Sequence, residues 1–313
     1  MVFTAFRGIK PWYQLIMTAF VVLICFVFLF VISVLAAIPF TGLPRMVQVL
    51  SGASLDGPSA VALLKYFQLV QSTALFVVPP FILGWLFCGN ARGYLHLDRP
   101  AGRIGILISV LVVLVINPFV SWTGELNSAM HLPGFLAGTE AWMRQMEDQA
   151  AALIDRFMEV KSLGGLLFNL LLIAVIPALG EEFLFRGVVQ RIFTGMSRSH
   201  HAGIWIAAFL FSALHFQFYG FVPRMVLGAA FGYMLVYSGS LWLPVLSHFV
   251  NNALGVLLLY VEKQHPEVFE PFSVWGEKLT SGYPAALLSL VLTVLLFLLL
   301  RNRTYAGRAE QLI

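Results

Sequence analysis

Residues 163–191 read LGGLLFNLLLIAVIPALGEEFLFRGVVQR. Fourteen positions from Leu163 to Ile176 hold one polar side chain, Asn169, and the run then meets Pro177, two adjacent carboxylates, Glu181 and Glu182, and Arg186. A stretch this long and this apolar is a membrane-spanning helix, because about 20 such residues cross the hydrocarbon core of a bilayer. Charges inside it are costly, roughly 2.5–3.5 kcal/mol each at mid-bilayer, and mark function by default.

The remainder of the chain fits a membrane setting. Of 313 residues, 59% are hydrophobic and 11% charged, against about 25% charged in soluble domains, and the mean hydropathy is +0.87. Apolar runs fall at about 13–38, 66–88, 104–122, 163–191, 202–219, 221–237, 241–260 and 285–300. The expected fold is therefore an all-α polytopic membrane protein of about eight transmembrane helices. The first run is too long for the apolar core of a signal peptide and lacks a small-residue cleavage site, so it counts as a span.

Lys and Arg sort by side. Arg7 and Lys10 precede the first run, Arg92, Arg99 and Arg103 separate the second from the third, Arg191 and Arg198 follow the fourth, and Arg301, Arg303 and Arg308 follow the last. With alternating spans these fall on one face, which places both termini in the cytoplasm. The opposite loop, 123–162, is rich in acid: Glu125, Glu140, Glu147, Asp148, Asp155 and Glu159 against Arg144, Arg156 and Lys161. The net charge of +4 is thus a topology signal and gives no reason to expect a nucleic-acid partner. Within that loop, apolar residues recur every three or four positions from Trp142 through Met146, Ala150, Leu153, Phe157 and Val160. That spacing predicts one amphipathic helix, lying in the membrane interface or packed on the loop-side ends of the spans.

Cys25 and Cys88 each sit in an apolar run and suggest neither a disulfide framework nor a thiolate metal site. No repeat or soluble segment interrupts the pattern, so residues 1–313 are expected to form a single membrane domain.

Three polar groups inside spans carry chemistry. Glu182 and Arg186 stand four apart with the acid first, the favourable order for a helical ion pair, so a structural role accounts for them. Glu181, rotated by about 100°, has no such partner. His215 ends the apolar run Phe211-Ser-Ala-Leu-His, and His248 and Asn252 share one face of the seventh run. At 1.5 Å per residue, Glu181, His215, His248 and Asn252 lie roughly 15, 20, 10 and 16 Å from the cytoplasmic ends of their spans. Each alone is compatible with interhelical hydrogen bonding. Together, a carboxylate, two imidazoles and an amide at similar depth are the parts for water activation and oxyanion stabilisation.

The patterns Glu181-Glu182-x-x-x-Arg186, Phe211-x-x-x-His215 and His248-x-x-x-Asn252 resemble those of the CAAX protease and bacteriocin-processing family, also called the Abi family, which includes the Ras-converting CAAX endopeptidase. The resemblance covers about a quarter of the chain and implies a catalytic helical core at about 163–260. It implies an intramembrane endopeptidase in which Glu181 and His215 activate water, His248 and Asn252 stabilise the oxyanion, and Arg186 supports Glu182. The implied substrate is a membrane-associated peptide or protein met within the lipid bilayer, and a bacterial cell membrane is the expected location. Family usage also raises metal: Glu181, His215 and His248 could hold zinc or another divalent ion. No His-Glu-x-x-His motif accompanies them, and the expectation is a site without a cofactor. A proton-coupled transporter would use the same intramembrane Glu and His residues, and a non-proteolytic scaffold would need them only to hold a partner.

Overall fold

The computed structural model describes residues 4–52, 57–271, 273 and 282–310, with side chains to residue 303. Met1 and Ile313, and part of the loop at 261–284, lie outside the described residues. The described elements are helical. The longer ones are α1 (Pro11–Thr41), α2 (Pro58–Cys88), α3 (Arg103–Ser128), α4 (Ala137–Phe157), α5 (Leu163–Ser197), α6 (His200–Ala213), α7 (Phe221–Ser238), α8 (Trp242–Gln264) and α9 (Gly282–Glu310), with short helices at Leu43–Leu50 and Ala91–Tyr94 between them. Among the described residues, seven helices are long and apolar enough to cross a membrane, and α6 is a shorter apolar helix. The chain is a multi-pass membrane protein, and its eight apolar helices match the eight runs of the sequence.

Helix ends follow local chemistry. α1 and α2 start with proline in the first turn, where its missing N–H costs nothing. α2 and α7 stop at Gly89 and Gly239, both left-handed. Pro118 disturbs the backbone ladder of α3, and α9 repairs it from outside: the Ser289 hydroxyl accepts from the Phe119 amide (3.2 Å) and donates to the Val115 carbonyl (2.6 Å).

α5 is the central helix. Residues 182–190 are buried without a break, as befits a helix surrounded on every side. Its backbone widens into π-type turns at Leu170–Val175 and Phe185–Val189, one on either side of the paired glutamates; such turns gather at functional positions. Gly180 allows α2 to approach the carboxylates. A Cβ there would stand 2.7 Å from the Phe76 Cβ and 3.1 Å from the Phe76 carbonyl carbon.

Two expectations are refined. The amphipathic helix packs on the loop-side ends of the spans: Trp142 meets Phe218 with ring centroids 5.3 Å apart, and the Arg144 guanidinium lies 4.6 Å from the Tyr219 ring centroid. In its first turn Glu140 accepts from Arg144 (2.8 Å), from the His131 ring and from the Leu132 amide (2.9 Å), which holds its pKa down to about 2. Second, α2 begins at Pro58, eight residues before the expected start, and so carries Lys65 into the protein, where it is 8% exposed. The Lys65 ammonium donates to the Phe157 carbonyl (2.9 Å) and the Asn169 side-chain oxygen (2.7 Å), tying the end of α4 to α2 and α5.

Removing that ammonium in Lys65→Met leaves the Asn169 oxygen buried and unpartnered, a loss of about 1–3 kcal/mol. The expected result is faster backbone hydrogen exchange at the end of α4, around Leu153 to Phe157, with the spans unchanged. Unaltered exchange there would show that the lysine does not anchor the helix.

Candidate functional site

Along the buried stretch of α5, Glu182, Arg186 and Gln190 recur every four residues and form one polar stripe. α7 answers with carbonyls at the same interval: Arg186 donates to Gly228 O (3.0 Å) and Gln190 to Gly232 O (3.3 Å). The two helices can approach because glycine stands at both positions; a Cβ on Gly228 would lie 3.3 Å from the Ala208 Cα and from the Arg186 Nη2. Gln190 was legible in the sequence as the third member of an i, i+4, i+8 series.

The expected Glu182–Arg186 pair is present, with Oε1 2.8 Å from Nη1 and both side chains buried. The same oxygen also lies 2.8 Å from Nδ1 of His248 on α8. Glu182 thus joins the guanidinium to the imidazole, a contact that sequence spacing does not announce. Aromatic rings enclose the group. The Arg186 guanidinium sits 4.7 Å from the Phe211 ring centroid and 5.6 Å from that of Phe231, while Phe231 stacks on His248 at 5.3 Å.

His215 departs from expectation in its setting. α6 ends at Ala213, not near Tyr219, and Phe216 takes a left-handed conformation (φ 53°). His215 therefore stands in the turn beyond the helix. The last carbonyls of a helix lack intrahelical donors, and that of Phe211 is taken by His215 Nδ1 at 2.7 Å. The first residue of the Phe211-x-x-x-His215 motif consequently does two things: its ring covers Arg186 and its carbonyl orients the histidine.

These bonds fix tautomers. A carbonyl only accepts, so His215 carries its proton on Nδ1 and presents the lone pair of Nε2. A carboxylate held by Arg186 likewise accepts from His248 Nδ1, leaving His248 Nε2 toward Glu181, whose Oε2 is 3.7 Å away. Glu181 is thus beyond direct hydrogen-bond distance of the imidazole.

Asn252 is engaged on the other side. Pro177 has no N–H to give the Ile173 carbonyl four residues earlier, and Asn252 Nδ2 donates to that oxygen at 3.1 Å. Asn251 in turn donates to the Asn252 side-chain oxygen at 3.2 Å. The Asn252 amide is thereby oriented, with its second N–H still to spend. Pro177 thus leaves a carbonyl without its backbone donor, and Asn252 meets it.

Glu181, His215, His248 and Asn252 all border one cavity of about 590 Å³, walled on the loop side by Leu153 and Phe157 of α4. Of the six expected site residues, these four face the cavity, while Glu182 and Arg186 stand behind His248. For a metal the donor set does not close: among the described residues, no three His, Cys, Asp or Glu side chains are arranged to hold an ion. Cys25 and Cys88 are free thiols on α1 and at the end of α2, away from this group.

Residues 163–254, which carry all three motifs, match the family model described as type II CAAX prenyl endopeptidase Rce1-like. An uncharacterized protein of Bacillus subtilis, YpbD, is 33% identical over 89 residues, covering 27% of this chain and 42% of that relative. An uncharacterized 24.3 kDa protein of Escherichia coli is 28% identical over 149 residues, covering 45% of this chain and 64% of the relative. The chain therefore spans less than two thirds of either relative. No solved structure matches. The resemblance read from the motifs is thus matched by a family model over 163–254, less than a third of the chain.

Proposed function

We propose that the Rce1-like segment makes this chain an intramembrane endopeptidase, which hydrolyses a peptide bond in a membrane-associated peptide or protein. The observation that carries the reading is the convergence of Glu181, His215, His248 and Asn252 on one cavity from three separate stretches of backbone.

In this mechanism a water sits between Glu181 and Nε2 of His215, both proton acceptors. Glu181 takes its proton as the oxygen attacks the scissile carbonyl, general base catalysis by a positioned group. The developing oxyanion is met by the second N–H of Asn252. His248 enters the cycle already protonated on both nitrogens, its Nδ1–H on the Glu182 carboxylate as on the aspartate of a Ser-His-Asp triad; it donates Nε2–H to the same oxyanion and keeps that proton throughout. Collapse breaks the C–N bond, and Glu181 returns its proton to the leaving amine. Atoms and charges balance without a metal, and a metal-free site is part of the proposal.

The test is cleavage of a peptide library by the purified full chain, together with its metal content. We expect cleavage that survives exhaustive dialysis against chelator, with no stoichiometric zinc. Metal that leaves and returns together with activity would overturn the metal-free site. A proton-driven flux in liposomes without cleavage would favour a transporter.

Orientation belongs to the proposal as well: both termini face the cytoplasm, in a bacterial cell membrane. The support is the side-sorted Lys and Arg. Reporter fusions that place either terminus outside would overturn it.

A further inference from the structure

Arg224, on the first turn of α7, borders the same cavity as the four proposed catalytic groups. Its Nη2 donates to Gln217 Oε1 (2.7 Å) and its Nη1 to the Gln217 carbonyl (3.4 Å). Both acceptors are neutral, and among the described residues no carboxylate lies within ion-pairing distance of this guanidinium. Arg186, the other cation of the site, is paired with Glu182. Glu147 and Glu181 act on Arg224 only through space. A half-buried guanidinium held by an amide keeps its full charge available.

Its placement is tied to the proposed chemistry. Gln217 belongs to the same turn beyond α6 that carries His215, so one backbone segment sets both the imidazole and the anchor of the cation. Gly220, three residues after Gln217, leaves room for the fork: a Cβ there would stand 3.1 Å from Nη2. The rest of the wall is mostly apolar, with Leu153, Phe157, Leu172 and Leu227 among its residues. Apolar side chains of a bound peptide fit such a wall, and an anion is the group that satisfies the remaining guanidinium donors.

We propose that Arg224 is a specificity-determining residue that binds a carboxylate of the peptide substrate, at a fixed offset from the bond to be cut. The proposal rests on the endopeptidase reading for the identity of its ligand as a substrate. Guanidinium and carboxylate match as a two-toothed pair, which lysine does not reproduce. The carboxylate comes either from the C-terminus of the peptide or from an acidic side chain, and the experiment separates the two.

The probes are fluorescein-labelled apolar hexapeptides in three forms: a free C-terminal carboxylate, a C-terminal amide, and the amide with one glutamate. Binding is read by anisotropy with the full-length Glu181→Gln chain in phosphatidylcholine nanodiscs, so that cleavage does not interfere. One carboxylate form should bind about 10- to 100-fold tighter than the plain amide, the range for a charge-assisted contact. Preference for the free terminus assigns an α-carboxylate; preference for the glutamate form assigns a side chain. Adding Arg224→Gln should erase the preference, and Arg224→Lys should keep part of it. In the cleaving chain, Arg224→Gln should raise KM about as much while kcat holds.

Equal binding of all three probes overturns the proposal without any variant at 224, so a poorly folding Arg224→Gln does not shield it. Loss of the preference in phosphatidylglycerol nanodiscs would assign the guanidinium to an anionic lipid headgroup and overturn it too. Carboxylate preference in a chain that cleaves nothing would sink the endopeptidase reading and leave the anion site standing. Cleavage without carboxylate preference would do the reverse.

Discussion

Glu181→Gln is expected to give normal amounts of monodisperse protein with an unchanged melting temperature and no measurable cleavage. The substitution keeps the shape of the side chain and removes only its ability to take a proton. Nothing buried is left without its partner, because Glu181 borders the cavity and its contact to His248 Nε2, at 3.7 Å, is longer than a hydrogen bond. Positioned general bases contribute about 10²- to 10⁴-fold, so a loss of at least that size should fall on kcat. KM should move little, since the proposed peptide contacts, Arg224 and the apolar wall, are untouched. Near-normal turnover would remove Glu181 as the base and with it the main support for hydrolysis at this site. A collapse in yield would instead make this glutamate structural, contrary to its position.

The fold was legible because hydropathy is a sum over many residues. Each apolar run of the sequence corresponds to a helix, and the acidic loop held the amphipathic helix its spacing called for. What hydropathy conceals is where an apolar helix ends. Leu214, Phe216, Phe218 and Tyr219 continue the apolar run past α6, yet the helix stops at Ala213 and Phe216 turns left-handed. The first glycine, Gly220, comes four residues later, so no breaker marked the turn that presents His215. Lys65 escaped for the opposite reason, standing one residue outside the run assigned to the second span.

The four cavity residues were legible as rare polar groups at similar depth. Their couplings were not, because they join residues far apart in sequence. Glu182 and His248 are 66 positions apart, and Asn252 and Ile173 are 79. Periodicity relates residues within one helix, and pairing between helices is set by packing. Glu182 therefore read as a partner of Arg186 alone. The structure makes it a shared acceptor, which changes what its removal should do.

Glu182→Gln is expected to lower yield, melting temperature and turnover together, by two separable routes. The first is electrostatic. Arg186 is 1% exposed at its side chain, and removing one partner of a buried pair costs about 3–5 kcal/mol because the other charge remains uncompensated. The second runs through His248. A carboxylate on Nδ1 favours the imidazolium, which carries a proton on Nε2 as well, whereas the neutral amide of glutamine does not. The imidazole then loses the negative neighbour that stabilises its charged form, so the proposed oxyanion contact fails even in molecules that fold.

A double variant divides the two routes. Glu182→Gln with Arg186→Met removes both charges, and buried pairs replaced as a unit by uncharged groups are often tolerated. Its melting temperature should recover much of the loss, while turnover stays down by about 10²-fold or more, the scale of one oxyanion-hole donor. Exchanging the charges, as Glu182→Arg with Arg186→Glu, should restore neither, since it would aim a guanidinium at His248 Nδ1. Thermal stability and single-turnover cleavage of the purified variants measure both effects. Recovery of turnover along with stability in the double variant would confine Glu182 to the fold and remove its role in setting the proton on His248.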